Sequence, residues 1–229
     1  MIELYSWPTP NGQKVHIALE EMGLTYEAHP VNITQGEQFE EAFLRISPNN
    51  RIPAIVDRQG PGGEALSLFE SGAILLYLAE KTGRFLPADP AGRYRTIEWL
   101  MFQMGGVGPM FGQCGHFRNQ APERVEYGIE RYTRETERLL QVLDRRLGEA
   151  AYLGGEAYTI ADMATFPWVE VGERLGQRMG DFPNVLRWRD AVAERPGVER
   201  GMAVLRERTV KPEELDEQAR RNLFGAREE

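Results

Sequence analysis

Two short segments of the sequence carry residues that could bind a ligand. In one, a proline precedes an apolar strand; in the other, a glutamate and a serine precede an apolar helix. Pro53 precedes the apolar run 54–56, where the missing N–H of proline is tolerated at the start of a strand. A cis bond between Ile52 and Pro53 would turn the backbone of Ile52 outward, where an extended ligand can pair with it as an added strand. Glu70 and Ser71 precede an apolar helical run, whose unpaired N–H groups can hold a carboxylate. Together these residues predict a cleft that binds an amino acid or peptide by its backbone and its α-carboxylate.

The first 86 residues carry alternating strand and helix patterns. Apolar runs predict strands at 2–5, 26–33, 53–57 and 66–69, and three-and-four spacing predicts helices that end at Gly23, span 38–46 and span 71–81. Glycine and proline at 59–63 predict a hairpin turn between the last two strands. The resulting order, βαβ-α-ββα, is the thioredoxin-like arrangement, so the sequence predicts an α/β domain over 1–86.

Beyond residue 86 the strand pattern stops. A linker at 87–92 leads into segments with helical spacing at 93–104, 124–147, 160–178 and 185–194. The glycines and proline at 105–109 must bend or interrupt the first of these helices. Thr159 and Asp162 have the spacing of a helix-capping box. We therefore expect a fold of the α/β plus all-α kind, with an all-helical domain over 93–229 and a tail from about 209 that forms an appended helix or is partly disordered.

Composition and charge narrow the partners and the compartment. The chain of 229 residues has a net charge of −8, which disfavours nucleic acid or an anionic membrane surface as its partner. It shows neither a leader pattern nor an apolar run of about 18 residues, so secretion and membrane insertion are not predicted. Its single cysteine rules out an internal disulfide framework and favours a reducing cytoplasm. The histidines lack metal-ligand spacing, so no metal site is predicted.

Four segments of the chain together resemble one family. They are 9–12 (TPNG), 46–57 (ISPNNRIPAIVD), 69–74 (FESGAI) and 105–110 (GGVGPM). In combination they are similar to segments of the cytosolic glutathione transferases, and most narrowly of the bacterial nu class, which resembles the fungal prion-forming nitrogen regulator. Members of that class are known chiefly as glutathione-dependent disulfide-bond reductases. The resemblance covers nearly the whole chain and implies an enzyme that reduces small disulfides or organic hydroperoxides, with glutathione as co-substrate and no metal.

The resemblance also implies which residues hold glutathione. Ile52 would pair its backbone with the cysteinyl unit, and Glu70 and Ser71 would hold the γ-glutamyl end. Gln38 and Arg51 would face the glycyl end. The nucleophile in such a site is the thiolate of the ligand, so the protein needs hydrogen-bond donors rather than a reactive side chain of its own.

Thr9 and Asn11 match residues that lie near the glutathione sulfur in this family, where their hydroxyl and amide could donate hydrogen bonds to a thiolate. Both residue types are also favoured as caps of a helix that starts near Gly12, so the sequence leaves open whether they contact sulfur or only cap that helix. Tyr5 is the nearest counterpart of the tyrosine that other classes use, but its place inside the first strand favours a role in the sheet.

Arg131 matches an arginine that reaches the site from the neighbouring subunit, so the resemblance implies a homodimer. Without the resemblance, Arg131 lies among acidic and basic residues at helical spacing and would belong to a solvated, ion-paired face.

Cys114 could suggest a redox role together with His116. Two-residue spacing does not bring helical side chains face to face, however, so a buried structural thiol is the favoured interpretation.

Two other functions remain compatible with the sequence. The same thiolate could be conjugated to a small electrophile, and the Met and aromatic residues within 99–111 could wall the electrophile site or equally be core or dimer packing. The fold could also serve as a non-enzymatic glutathione-binding scaffold. The full set of candidate donors favours catalysis over a scaffold.

Overall fold

A mixed four-stranded sheet forms the centre of the N-terminal half. The structure is a computed structural model in which residues 1–211 and 214–225 are described. The strands β1 (Ile2–Ser6), β2 (Tyr26–Pro30), β3 (Ala54–Asp57) and β4 (Leu66–Phe69) lie in the order β2-β1-β3-β4. β2 runs parallel to β1, β3 runs antiparallel to β1, and β4 runs antiparallel to β3. The predicted thioredoxin-like arrangement is confirmed.

Helices cover both faces of this sheet. α1 (Pro10–Met22) and α3 (Ser71–Thr82) pack on one face, where they share a buried apolar core with β1 and β3. α2 (Glu41–Leu44) covers the other face through Phe43, which packs with side chains of the sheet. The central strands β1 and β3 are therefore covered on both faces, while the edge strands β2 and β4 stay partly exposed.

The start of α1 is fixed by local sequence signals. The hydroxyl oxygen of Thr9 accepts a hydrogen bond from the N–H of Gly12 at 3.3 Å, and proline occupies the first helical position. A Cβ at Gly12 would clash with the carbonyl oxygen of Trp7, so glycine lets the first turn of α1 lie against the end of β1. α1 ends at Gly23, whose φ of 67° suits glycine. Thr9 therefore caps α1, which is one of the two roles that the sequence left open.

The C-terminal half is helical, as predicted. Its helices within the described residues are α4 (Pro90–Phe102), α5 (Gly108–Gly115), α6 (Glu126–Glu149), α7 (Ile160–Val169), α8 (Pro183–Ala193), α9 (Pro196–Ala203) and α10 (Glu217–Phe224). α4 continues into α5 through a π-helical turn at Gln103–Val107, in the glycine-rich stretch that was expected to bend the chain. Within the described part of the chain, no helix combines the length and apolarity that a membrane span needs.

α9 lies directly on α1 and joins the two halves of the molecule. A Cβ at Gly201 would clash with the backbone of Ile17, so glycine allows this close approach. Arg195 adds a paired ionic contact, with its Nε 2.8 Å from Oε1 of Glu21. Apolar residues of the sheet domain and of the helical domain consequently form one continuous buried cluster.

The observed elements depart from the predicted ones mainly at glycine and proline. The predicted helix over 160–178 is wrong beyond Val169, because the chain turns into a short 3-10 segment that ends at Gly176, whose φ is 79°. The predicted strand over 26–33 ends at Pro30, opposite Ser6, where its partner strand β1 also ends. The predicted helix over 38–46 is a 3-10 turn followed by α2.

The boundaries of the helical half also differ from the predicted ones. α4 begins at Pro90, inside the segment predicted as a linker. α5 and α9 are not among the predicted helices. An appended tail helix does form, as α10, and the parts of the predicted tail at 212–213 and 226–229 lie outside the described residues.

A buried carboxylate ties α7 to its surroundings. Asp162 is fully buried and accepts hydrogen bonds from the backbone N–H groups of Leu153 and Thr159, from the Thr159 hydroxyl, and from Nε1 of Trp188. The predicted capping box is therefore present, and two further donors from distant segments complete it. Burial raises the pKa of Asp162, and these hydrogen bonds oppose that effect.

We predict that Asp162→Ala lowers the free energy of unfolding by about 3–5 kcal/mol, because it leaves several buried donors without an acceptor. Thr159→Ala, which removes only the cap hydroxyl, should cost about 1 kcal/mol. Urea denaturation followed by circular dichroism measures both values. Equal, small losses in the two variants would contradict the central role of the carboxylate.

Candidate active site

A cleft of about 550 Å³ lies between the sheet domain and the helical domain. Of the predicted site residues, it is lined by Asn11, Arg51, Ile52, Glu70 and Ser71. The helical half contributes the opposite wall, with side chains from the π-helical turn, α5, α7 and the end of α10. Folding therefore brings most of the predicted glutathione residues together and adds a wall that comes from the other domain.

The backbone of Ile52 faces this cleft without a backbone partner. The bond between Ile52 and Pro53 is cis, as expected. Ile52 precedes β3, whose ladder begins one residue after the proline, where Ala54 pairs with Tyr5 and Phe69. Among the described residues, neither the N–H nor the C=O of Ile52 makes a backbone hydrogen bond. Both groups can therefore pair with an extended ligand.

Glu70 and Ser71 form the start of α3 in the cleft wall. Glu70 has φ 68° and ψ 111°, a conformation that costs a residue with a side chain on the order of 1–3 kcal/mol. The Glu70 carboxylate stays exposed, while its C=O accepts the N–H of Ile74 at 3.0 Å and so starts the helix. Ser71 is buried in the first turn, where N–H groups lack partners within the helix. The Glu70 carboxylate can bind the ammonium of an amino acid, and the helix end beside it can bind the carboxylate of the same amino acid.

Lys14 is a member of the site that the sequence analysis missed. It is buried, with only 1% of its surface exposed, yet it lines the cleft. Its Nζ donates to Oε1 of Gln103 at 2.7 Å and to Oγ of Ser71 at 3.3 Å. Burial lowers the pKa of Lys14 to about 7, and the nearby Glu70 carboxylate opposes this shift. Its position three residues after Asn11, on the same face of α1, is the sequence signal that could have found it.

Asn11 is oriented by a residue of the other domain. Its Oδ1 accepts a hydrogen bond from Nε1 of Trp168 at 3.1 Å. Because the oxygen is bonded within the protein, the NH₂ group remains as a donor toward the cleft. Thr9 lies instead in a neighbouring cavity, and Phe224 lines both spaces. The hydroxyl of Thr9 caps α1 through its oxygen, so its proton stays available for an acceptor.

Gln38 and Arg131 do not line the cleft of this chain. Gln38 is buried, and its Nε2 donates to the carbonyl oxygens of Ile33 and Asn222 at 3.3 and 3.1 Å. These two carbonyl oxygens, one of them on α10, hold the Gln38 NH₂ group, while its Oε1 has no hydrogen-bond partner among the described residues. Arg131 is exposed on α6 and lines a separate cavity of about 530 Å³. Its predicted role is in the site of a neighbouring subunit.

Tyr5 and Cys114 have structural surroundings. The Tyr5 hydroxyl donates to Oε2 of Glu3, its ring stacks on His29, and burial raises its pKa. Cys114 is fully buried, and its Sγ lies 3.5 Å from the carbonyl oxygen of Leu175. Neither residue lines the cleft, so the structural interpretations of both are confirmed. In the described ranges, no group of three or more His, Cys, Asp and Glu residues is placed to hold a metal ion.

Comparison with known proteins identifies the family. Residues 1–80 match the glutathione S-transferase N-terminal domain, and residues 109–196 match the glutathione S-transferase C-terminal domain. Disulfide-bond oxidoreductase YfcG of Escherichia coli is 51% identical over 207 residues, which are 90% of this chain and 95% of that protein. The chain belongs to the glutathione transferase family.

Solved structures agree with this assignment. A glutathione transferase family member from Pseudomonas fluorescens, crystallised with two glutathione bound, superposes with a TM-score of 0.84 at 53% identity, over 88% of this chain and 92% of that one. A glutathione transferase from Pseudomonas putida, with one glutathione disulfide bound per subunit, has a TM-score of 0.85 at 51% identity, over 89% and 91% of the chains. The fold of the whole two-domain unit is shared with these proteins.

Proposed function

We propose that the protein uses glutathione to reduce small disulfides, in a reducing cytoplasm. The observation that supports this most is that the Ile52 backbone, the start of α3 at Glu70 and Ser71, and the Asn11 amide meet in one cleft. A cysteinyl backbone, an amino-acid head and a sulfur are the matching parts of glutathione. The relative named a disulfide-bond oxidoreductase, which is 51% identical, supports disulfides as the substrates.

The ligand would lie along the cleft from Glu70 toward Arg51. Its ammonium would pair with the Glu70 carboxylate, and its α-carboxylate would lie at the first turn of α3 beside Ser71. The cysteinyl unit would add to Ile52 as a short strand. Arg51, which is exposed at the cleft, would pair with the glycyl carboxylate. The sulfur would then lie near the free NH₂ donor of Asn11.

The reaction needs two glutathione molecules and no thiol of the protein. The thiolate of the first attacks one sulfur of the substrate disulfide, forms a mixed disulfide and releases one substrate thiol. The thiolate of the second attacks the glutathione sulfur of that mixed disulfide, giving glutathione disulfide and the second substrate thiol. Two electrons pass from the two glutathiones to the substrate, and the two thiol protons end on the substrate thiols. The burial of Cys114 fits this sequence of steps.

Alignment contributes more to such a reaction than acidity does. Lowering a thiol pKa from about 8.5 to about 6.5 raises the thiolate fraction at pH 7 roughly 25-fold, but a Brønsted slope near 0.45 lowers its nucleophilicity roughly 8-fold. The net gain is about threefold. Holding the glutathione sulfur in line with the attacked disulfide must therefore supply most of the acceleration.

Conjugation of glutathione to a small electrophile is a second candidate, because the cleft has an apolar wall. Met104, Pro109 and Phe224 line it opposite the proposed ligand. An apolar electrophile could bind there beside the same thiolate. Assays of disulfide reduction, hydroperoxide reduction and aromatic-halide conjugation on one preparation rank the three activities.

The homodimer is part of the proposal because Arg131 lies outside the cleft of its own chain. It is exposed on α6, near Tyr127, which is 70% exposed, and α4 carries the similarly exposed Tyr94 and the half-exposed Met101. These apolar side chains would be covered by a second subunit. Arg131 could then reach the cleft of that subunit, where a guanidinium would pair with a carboxylate of glutathione.

We predict that Glu70→Ala weakens glutathione binding by about 10- to 150-fold, since a charged hydrogen bond contributes roughly 1.5–3 kcal/mol. Isothermal calorimetry with glutathione disulfide measures the affinity. Glu64→Ala, which removes an exposed carboxylate in the hairpin turn outside the cleft, is the matched control and should bind like the wild type. A wild-type protein that binds neither glutathione nor its disulfide would refute the proposed function.

We predict that Cys114→Ser retains most disulfide-reductase activity, because the redox chemistry takes place between ligand sulfurs. Thr9→Ala combined with Asn11→Ala should lose far more, since it removes the donors proposed for alignment. Both are assayed at saturating glutathione and across pH, after circular dichroism confirms folding. A fully active double variant, or an inactive but folded Cys114→Ser, would contradict the mechanism.

We predict that two defective subunits restore each other when mixed. If Arg131 acts across a dimer interface, a heterodimer of Glu70→Ala and Arg131→Ala subunits has one intact site, and random exchange should recover activity at about a quarter of all sites. The activity of the re-equilibrated mixture at low glutathione measures this recovery. Arg134→Ala, which removes another exposed arginine of α6, is the matched control and should by itself be as active as the wild type. An active monomer in light scattering, or a mixture no more active than its components, would remove the role assigned to Arg131.

A further inference from the structure

Lys14 lies beneath the first turn of α3, at the point where the sheet domain meets the π-helical turn. Its Nζ has Oε1 of Gln103 at 2.7 Å, Oγ of Ser71 at 3.3 Å and the weakly accepting Sδ of Met104 at 3.5 Å. A lysine is rarely buried to this degree without a carboxylate in direct contact. The salt bridges of the described residues include none to Lys14, so its ammonium has only neutral acceptors.

We propose that Lys14 is a positioning residue for the α-carboxylate of the γ-glutamyl head, an inference that rests on the proposed function. The buried ammonium supplies a positive charge beside the first turn of α3, where this carboxylate would bind. It also fixes the hydroxyl of Ser71 as a donor toward the ligand. The cleft thereby selects ligands whose γ-glutamyl head has a free carboxylate.

The direction of the Ser71 hydrogen bond follows from the donor count. An ammonium has only donors, so Oγ of Ser71 must accept from Lys14 and its own proton must point elsewhere. Among the described residues, the acceptor available to that proton is Sδ of Met104, at 3.6 Å, and it is a weak one. A carboxylate oxygen in the cleft would replace it with a charge-assisted hydrogen bond.

The charges around the cleft are arranged for a zwitterionic head. Glu70 offers an exposed carboxylate to the ligand ammonium, and Lys14, in contact with Ser71, offers a buried ammonium to the ligand carboxylate. The other titratable side chains that line the cleft are Arg51 and His116. Burial brings the pKa of Lys14 down to about 7, so a carboxylate arriving beside it would raise that pKa. Above pH 7, binding should therefore take up a proton, and affinity should fall as the pH rises.

The test is a cycle of two variants and two ligands that carry no thiol. One ligand is S-methylglutathione, and the other has 4-aminobutyrate in place of its γ-glutamate, which keeps the ammonium and removes the α-carboxylate. Lys14→Met should weaken the first on the order of 10- to 100-fold and the second less than about threefold. Gln103→Leu combined with Lys14→Met removes the acceptor that methionine would leave unpaired and should give the same pattern. A structural role for Lys14 would weaken both ligands equally.

The wild-type protein provides a second readout that needs no variant. Calorimetry at pH 7.5 in buffers of different ionisation enthalpy should show proton uptake with S-methylglutathione and much less with the ligand that lacks the carboxylate. Equal uptake with the two ligands, or equal losses of affinity in the variants, would overturn the role of Lys14. Failure of the wild type to bind S-methylglutathione would instead overturn the proposed function, so the two failures are distinguishable.

Discussion

The burial of α1 from two sides is the constraint on which the rest of the structure depends. α1 packs against α3 within the sheet domain and against α7 and α9 of the helical domain. Val15, Ile17 and Leu19 are fully buried as a result. Because one helix belongs to both cores, separating the domains would expose its apolar surface to water. The cleft therefore has a fixed position, at the N-terminal end of α1, where the sheet, α3 and the helical domain meet.

Polar contacts across this boundary have two functions. The bond from Trp168 to Asn11 and the bond from Lys14 to Gln103 each join the two domains. Breaking either bond would leave a polar group without its partner in a partly or fully buried setting, so each also limits motion between the domains. The first bond leaves the NH₂ group of Asn11 free to face the cleft, and the second holds the Lys14 ammonium next to Ser71 in the cleft wall. The same contacts that hold the domains together therefore orient the groups that face the ligand.

The reacting group proposed for this site is the thiolate of the ligand, so the protein needs no nucleophilic side chain of its own in the cleft. The single cysteine is buried away from the cleft, and the strand tyrosine is occupied by Glu3 and His29. The protein instead supplies backbone groups, donors and a helix end in fixed positions. The uncommon backbone conformation of Glu70 fits this role, since such conformations persist where the surrounding structure holds a functional group in place. Positioning of a bound thiolate then replaces activation of a protein nucleophile.

The sequence by itself determined the features that depend on neighbours a few residues apart. Thr9, the proline after it and Gly23 set the limits of α1, and the pattern before and after Glu70 predicted the start of α3. The sheet order and the cis bond before Pro53 were likewise within reach of local patterns and of family resemblance.

Only the tertiary structure decided which polar side chains complete the site. From its neighbours in sequence, Lys14 would be predicted to be an ordinary charged residue of an amphipathic helix. Its partner Gln103 is 89 positions away, and Lys14 becomes buried only when the domains pack. Trp168 meets Asn11 across 157 positions, in a helix whose periodicity gave no sign of a polar contact. One of the two carbonyls that hold the Gln38 amide likewise comes from α10, 184 positions further along the chain. Local patterns encode backbone conformation, whereas burial and long-range hydrogen bonds depend on the packed molecule as a whole.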